Sequence, residues 1–265
     1  MMSRRLSVGF KKPPVVEAWI EFKFALTQED SKWDEDAARS LMKTCFQEFV
    51  AGTFLKSMQI NVDMRPGQSG PTATPEVSFE RVRAFSQGGD HCIQAGRNVF
   101  VFNQLRRATW LKYECMRDAA LSAVQKYMSF RNLDELTGVS LHYRDVVAIP
   151  KTDTSGIEFK DWFHVFPEVP KHSFGNVSAF TFAVQLPSMC ENAIAILSIQ
   201  SLPSMGEEDR EFKFSIDWHV SSVDKVEDLE AARQWLDSAH DALHNSFEKA
   251  FTPECLALFE PNEGD

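Results

Sequence analysis

The feature that most constrains this chain is an alternation of oily and polar side chains, seen in two places. In VVEAWIEFKF, Val16, Ala18, Ile20, Phe22 and Phe24 fall on one side of an extended backbone, and Glu17, Trp19, Glu21 and Lys23 on the other. In EFKFSIDWHV, Phe212, Phe214, Ile216, Trp218 and Val220 oppose Glu211, Lys213, Ser215, Asp217 and His219. Successive side chains of a strand point to opposite faces, so both stretches read as half-buried strands. Pro13 and Pro14 cannot donate to a sheet and mark the start of the first. The shared tetrapeptide EFKF sits in the opening strand of the first half and in the last strand of the second. Tandem duplication would place it at equivalent points. The repeated letters are therefore one local problem solved twice.

Between and after these strands the pattern predicts further elements. A helix is expected over 34–50, capped by Asp34 or Ser31 and closed by Gly52. Three strand-like runs follow, FLKSMQINVDMR, PEVSFERVRAFS and HCIQAGRNVFVFNQL, with a polar loop at 66–75 and a turn at QGGD. A helix over about 115–130 closes this half. The second half opens with the strand VSLHYRDVVAIPK and a short helical piece at 159–166. The strands SAFTFAVQLP, NAIAILSIQSLP and EFKFSIDWHVSS come next. A long helix over 226–250 and a short one led by Thr252 and Pro253 end the chain. The expected fold is α+β: two pseudo-repeated β-α-β-β-β-α halves, mainly antiparallel sheet with helices packed on one face. The expected division is a flexible basic arm at 1–12, a first half at 13–136 and a second at 137–265, together one compact unit.

Composition narrows the function. No apolar run approaches the roughly 20 residues of a membrane helix, and the N-terminus lacks the hydrophobic stretch of a signal peptide. Five scattered cysteines without a CxxC pair read as reduced thiols of a cytoplasmic protein. A formal charge of −10 disfavours nucleic acid as the main partner, although Arg81, Arg83, Arg106, Arg107 and Lys112 could form a local basic patch. With 22 Phe against 3 Tyr, most rings are expected to fill a core, since Phe lacks the polar tip of an interface anchor.

No sequence motif announces a chemistry. GxSxG is absent, and so are a GxxxxGK[ST] loop and a GxGxxG loop. His240 and His244 are four apart on the last long helix, a spacing at which a metal could bridge them. Asp241 stands where a zinc protease carries Glu, and no third ligand is evident, so solvated histidines are the expected reading. His142 and His219 lie on strands with no base partner that spacing identifies. Glu17 and Glu21 share a strand face, with Trp19 between them. Paired acids of this kind can hold a metal or share a proton, but Lys23 as countercharge on a wet face is the simpler account. Arg144, beside His142, is a further binding candidate. The basic arm with Arg4, Arg5, Lys11 and Lys12 reads as a solvated lead-in. No cofactor is expected.

Three stretches carry a likeness. They are PPVVEAWIEFKF with Pro13, Pro14, Glu17 and Ala18, VSLHYRDVVAIP with Tyr143 and Pro150, and HNSFEKAFTPECLALFEP with His244, Phe247 and Thr252. In this order they resemble a sporadically distributed family of uncharacterised bacterial proteins of about this length. The resemblance implies no particular activity. Its patchy occurrence implies genes that travel in mobile or defence loci, and the 66–75 loop is peculiar to this chain.

The leading expectation is a non-catalytic interaction or regulatory component of a bacterial defence or stress system, with a protein partner encoded in the same locus. Its narrower form is an accessory subunit in a CRISPR-associated signalling locus. One alternative is a small-ligand sensor using Glu17, Trp19 and Arg144 in a cleft between the halves. The other is a metal-assisted hydrolase or nuclease built on Glu17, Glu21 or the histidine pair.

Overall fold

The computed structural model describes residues 10–26, 33–63, 72–105, 112–150, 158–166, 180–186, 190–203 and 211–261. Arg4, Arg5, Arg106, Arg107 and most of the 66–75 loop lie outside them. The fold is α+β. Nine strands are described: β1 Val15–Phe24, β2 Phe49–Asp63, β3 Thr72–Ser86, β4 His91–Gly96, β5 Val99–Leu105, β6 Leu136–Pro150, β7 Thr181–Leu186, β8 Ala193–Ser201 and β9 Glu211–Ser222. Four helices accompany them: α1 Glu35–Cys45, α2 Tyr113–Arg131, α3 Leu229–Ala250 and α4 Pro253–Ala257. No described helix is long and apolar enough to cross a membrane.

The chain forms two compact units. The N-terminal unit holds Ile20–Thr137 with Glu227–Leu229, and the C-terminal unit holds Gly138–Val226, Glu230–Asp265 and the chain up to Trp19. In the N-terminal unit the strand order is β2-β3-β4-β5-β1, and each consecutive pair from β2 to β5 is antiparallel. Its core is aromatic. Phe22, Phe46, Phe100 and Tyr127 are fully buried, and Phe46 stacks on Phe100 with ring centroids 5.8 Å apart. The third strand-like run is two strands, not one, because the chain turns at Arg97-Asn98 between β4 and β5. Gly96 allows that turn: a Cβ there would come within 2.8 Å of Val99. The Tyr127 hydroxyl donates to the Gly96 carbonyl at 2.7 Å and ties the hairpin to α2.

Helix α1 begins where expected, with the Asp34 carboxylate accepting from the Ala37 amide at 2.9 Å. It ends at Cys45 rather than near residue 50, because Phe46 turns into the core and Phe49 already starts β2. Gly52 does not close the helix. It lies in β2, where the pairing with β3 shifts between Ala51 and Thr53.

In the C-terminal unit the order is β1-β6-β9-β8-β7, with antiparallel pairs β6–β9, β9–β8 and β8–β7. Alternation along β9 buries Phe214, Ile216, Trp218 and Val220. These meet a phenylalanine cluster in which Phe163, Phe247, Phe251 and Phe259 are in ring contact. The expected helical piece at 159–166 contracts to one 3-10 turn, Phe159–Asp161, from which Phe163 reaches Phe251. Thr252 caps α4 by accepting from the Cys255 amide at 3.3 Å, and its hydroxyl donates to the Asp161 carbonyl at 2.7 Å. Lys11 and Lys12, expected in a loose arm, are held instead. Their amides donate to the carbonyls of Glu260 and Phe259. The reason is Phe10, whose ring packs against Phe247 and Phe259.

Candidate functional site

The register of β6 and β9 brings together polar side chains that are far apart in sequence. Arg144 pairs across from Asp217, His142 from His219 and Ser140 from Ser221. Because the strands are pleated, these six share one face, while Tyr143, Asp145, Ile216 and Trp218 share the other. Strand β1 adds Glu17 and Trp19 beside them, through contacts that reach Arg144 and His142.

Arg144 is the centre of this face. Its Nε donates to Asp217 Oδ1 at 2.6 Å, and its Nη1 approaches Glu17 Oε2 at 3.4 Å. The guanidinium carbon stands 5.5 Å from the Trp19 ring centroid, within cation–π range. One cation thus faces two carboxylates and an indole. Charge-assisted bonds to both acids fix the fork of the guanidinium in one orientation. With 43% of the Arg144 side chain still exposed, the grouping is oriented yet open to a partner.

Next to it three rings stack in series. Trp19 and His142 lie 4.5 Å apart at 12°, and His142 and His219 lie 3.9 Å apart at 20°. His219 Nε2 and the Ser221 hydroxyl form a short hydrogen bond of 2.5 Å, and Ser221 and Ser140 share another of 2.9 Å. Asp217 Oδ2 accepts from the Ser215 hydroxyl at 3.3 Å. The face is a continuous ladder in which each polar group is held by the next.

The reverse side differs in kind. Asp145 is 4% exposed and accepts from Trp218 Nε1 at 3.0 Å. Burial pushes its carboxyl up to about 7, with the nearby Asp217 charge adding and the Trp218 bond opposing. The Tyr143 hydroxyl and His240 Nδ1 are hydrogen-bonded at 2.9 Å, and the His240 and His244 rings are 6.3 Å apart.

Of the residues singled out from sequence, Glu17, Trp19 and Arg144 come together. Glu21 does not join them: it pairs with Lys23 at 3.3 Å and belongs to the N-terminal unit. His240 is reached by Tyr143, on the side of β6 opposite to Arg144, and His244 lies beside His240. Among the described residues no group of three His, Cys, Asp or Glu side chains is placed to hold a metal ion. All five cysteines are free thiols. Burial raises the thiols of Cys45 and Cys190, and pushes that of Cys255 up to about 12, which suppresses the nucleophilic thiolate.

Sequence reasoning left His142 and His219 without partners and did not pick out Asp217 or Ser221. The outward phase of Asp217 and His219 in β9 was the available signal. Which strand would lie beside them was not. No family model matches the chain, and no curated protein is significantly similar to it.

Proposed function

We propose that this chain is a non-catalytic interaction component whose recognition surface is the face bearing Glu17, Trp19, His142, Arg144, Asp217 and His219. In this reading helices cover one side of the sheet and leave that face for a protein partner. The observation that carries it is Arg144, oriented by two carboxylates and an indole yet still accessible. Arg and Trp are the side chains most enriched at the energetic centres of protein interfaces. Orientation before binding lowers the entropy cost of association. The raised thiols of Cys45, Cys190 and Cys255 and the engagement of Glu17 and Asp217 by a cation support binding over chemistry.

The family resemblance supplies the setting: a bacterial defence or stress locus, with the partner encoded alongside, and in its narrower form a CRISPR-associated signalling locus. The two halves, each a strand, a helical segment, further strands and a helix, are read as a pseudo-repeat that gives one half the recognition face. The test is purification of the tagged chain expressed from its native locus. A stoichiometric complex with a co-encoded protein is expected, and Arg144→Ala should weaken it by roughly tenfold or more, the scale of an interface anchor. Recovery of the free chain alone, or a complex indifferent to Arg144→Ala, removes the reading.

A further inference from the structure

We propose that the sheet of the N-terminal unit binds single-stranded nucleic acid, with phosphates on Arg81 and Arg83 and a base on Phe85. The site is independent of the recognition face above, and either can fail without the other. It rests on two guanidiniums without acidic partners and a ring without a ring partner, side by side on one strand.

Along β3, Val82 and Ala84 are fully buried. Arg81, Arg83 and Phe85 alternate with them and so share the opposite face, where all three are half-buried. Other arginines of the chain are ion-paired: Arg39 to Glu35, Arg117 to Asp118, Arg144 to Glu17 and Asp217, and Arg233 to Glu230. Arg81 and Arg83 have no such partner among the described residues, and the adjacent Glu80 pairs with neither. The cross-strand neighbours of Arg83 are Thr53 and Gln94, both uncharged. Arg83 Nε is shielded from water and has no hydrogen-bond acceptor, a state that calls for one. An oxyanion laid against the guanidinium supplies it, and phosphate is the oxyanion whose geometry the guanidinium fork matches. The two arginines stand about 7 Å apart at the backbone, so they can take neighbouring phosphates of one strand.

Phe85 supplies a surface for a base. Its ring makes no ring contact among the described residues. It lies against β2 at Gly52, where an added Cβ would come within 3.2 Å of it. Gly52 is exposed, and so is Val50, which pairs across from Phe85. The ring is therefore braced from the side and borders solvent. Every base has a π-face, so stacking on such a ring tolerates any sequence. A single strand offers its bases for this, whereas a duplex has already stacked them on one another.

The net charge of −10 does not oppose the site. Ile20–Thr137, the body of the N-terminal unit, carries 15 acidic and 15 basic side chains. The whole excess of acids lies elsewhere in the chain.

The experiment is fluorescence anisotropy of a labelled single-stranded oligonucleotide of about a dozen nucleotides, as DNA and as RNA, titrated with the full chain at several salt concentrations. Saturable binding that weakens with salt is expected, with a log–log slope of about −1.4 for two phosphate contacts. Arg81→Gln and Arg83→Gln should each weaken binding and make the slope shallower by about 0.7. Phe85→Leu should weaken it roughly tenfold and leave the slope unchanged. Arg233→Gln, on α3, should bind as the parent does. A duplex of the same length and inorganic polyphosphate should both bind more weakly than the single strand. Circular dichroism and the thermal midpoint confirm that each variant is folded. No saturable binding at low salt overturns the proposal, as does binding unmoved by both arginine variants or by Phe85→Leu. Polyphosphate or duplex bound as tightly as the single strand overturns it too, because neither needs a stacked base.

Discussion

The two sides of β6 and β9 differ more than their shared backbone suggests. On one side Trp218, Ile216 and Val220 are buried and make the C-terminal core. On the other Arg144, Asp217, His142 and His219 form an ordered polar ladder. Strand alternation explains why such opposite environments can lie one residue apart. The difference teaches that the sheet buries its large apolar side chains on one side and holds ordered polar groups on the other. Ion pairs as exposed as Arg144–Asp217 contribute little to folding, while burial of large rings contributes a great deal.

The largest effect that would test this contrast is at Trp218. Trp218→Ala should cost about 3–5 kcal/mol of unfolding free energy through the cavity alone, and more because Asp145 loses its hydrogen bond. Chemical denaturation measures it. A loss under about 1 kcal/mol would mean that this side does not carry the fold.

Next in size is the pH response of Asp145. Its carboxyl titrates at about 7 in the folded chain against an ordinary value of 3.8. Below about 4 both states hold the proton and there is no penalty. Between about 4 and 7 the unfolded chain has lost its proton and the folded chain has not, so stability falls as pH rises. Above 7 the penalty is complete, on the order of 4 kcal/mol at about 1.4 kcal/mol per pKa unit. Asp145→Asn keeps an acceptor for Trp218 Nε1. It should be more stable than the parent at pH 8 and should lose most of this pH dependence, as denaturation at pH 4, 6 and 8 would show. A parent chain no less stable at pH 8 than at pH 4 would contradict the assignment.

The smallest expected effect on folding is at Arg144. Arg144→Ala should change unfolding free energy by about 1 kcal/mol or less, since its partners are part-exposed and return to water. Its effect should appear in partner binding. A large loss of stability would place Arg144 with the core side and erase the contrast.

Much of this was legible in the sequence. The alternation from Val15 to Phe24 and from Glu211 to Ser222 fixed both strands and which side chains face inward. Asp34 and Thr252 marked their helix starts through local hydrogen bonds to amides three residues on. The β4–β5 turn was missed because Arg97-Asn98 is not a strong turn pair, and the close approach that requires Gly96 is visible only once Val99 folds back on it. The raised carboxyl of Asp145 was missed because its letter sits in a strand beside Arg144, where an ordinary ion pair would be expected.

What the sequence determined by itself is phase: which face of a strand each side chain occupies, and where short-range caps begin a helix. What only the tertiary structure decided is neighbourhood. Glu17 and Arg144 are 127 positions apart, and Arg144 and Asp217 are 73 apart. Phase repeats every two residues and follows from local sterics, whereas the pairing of distant strands depends on register and loop closure across the whole chain. The separate halves of the Arg144 grouping were therefore written in the sequence, and their meeting was written in the fold.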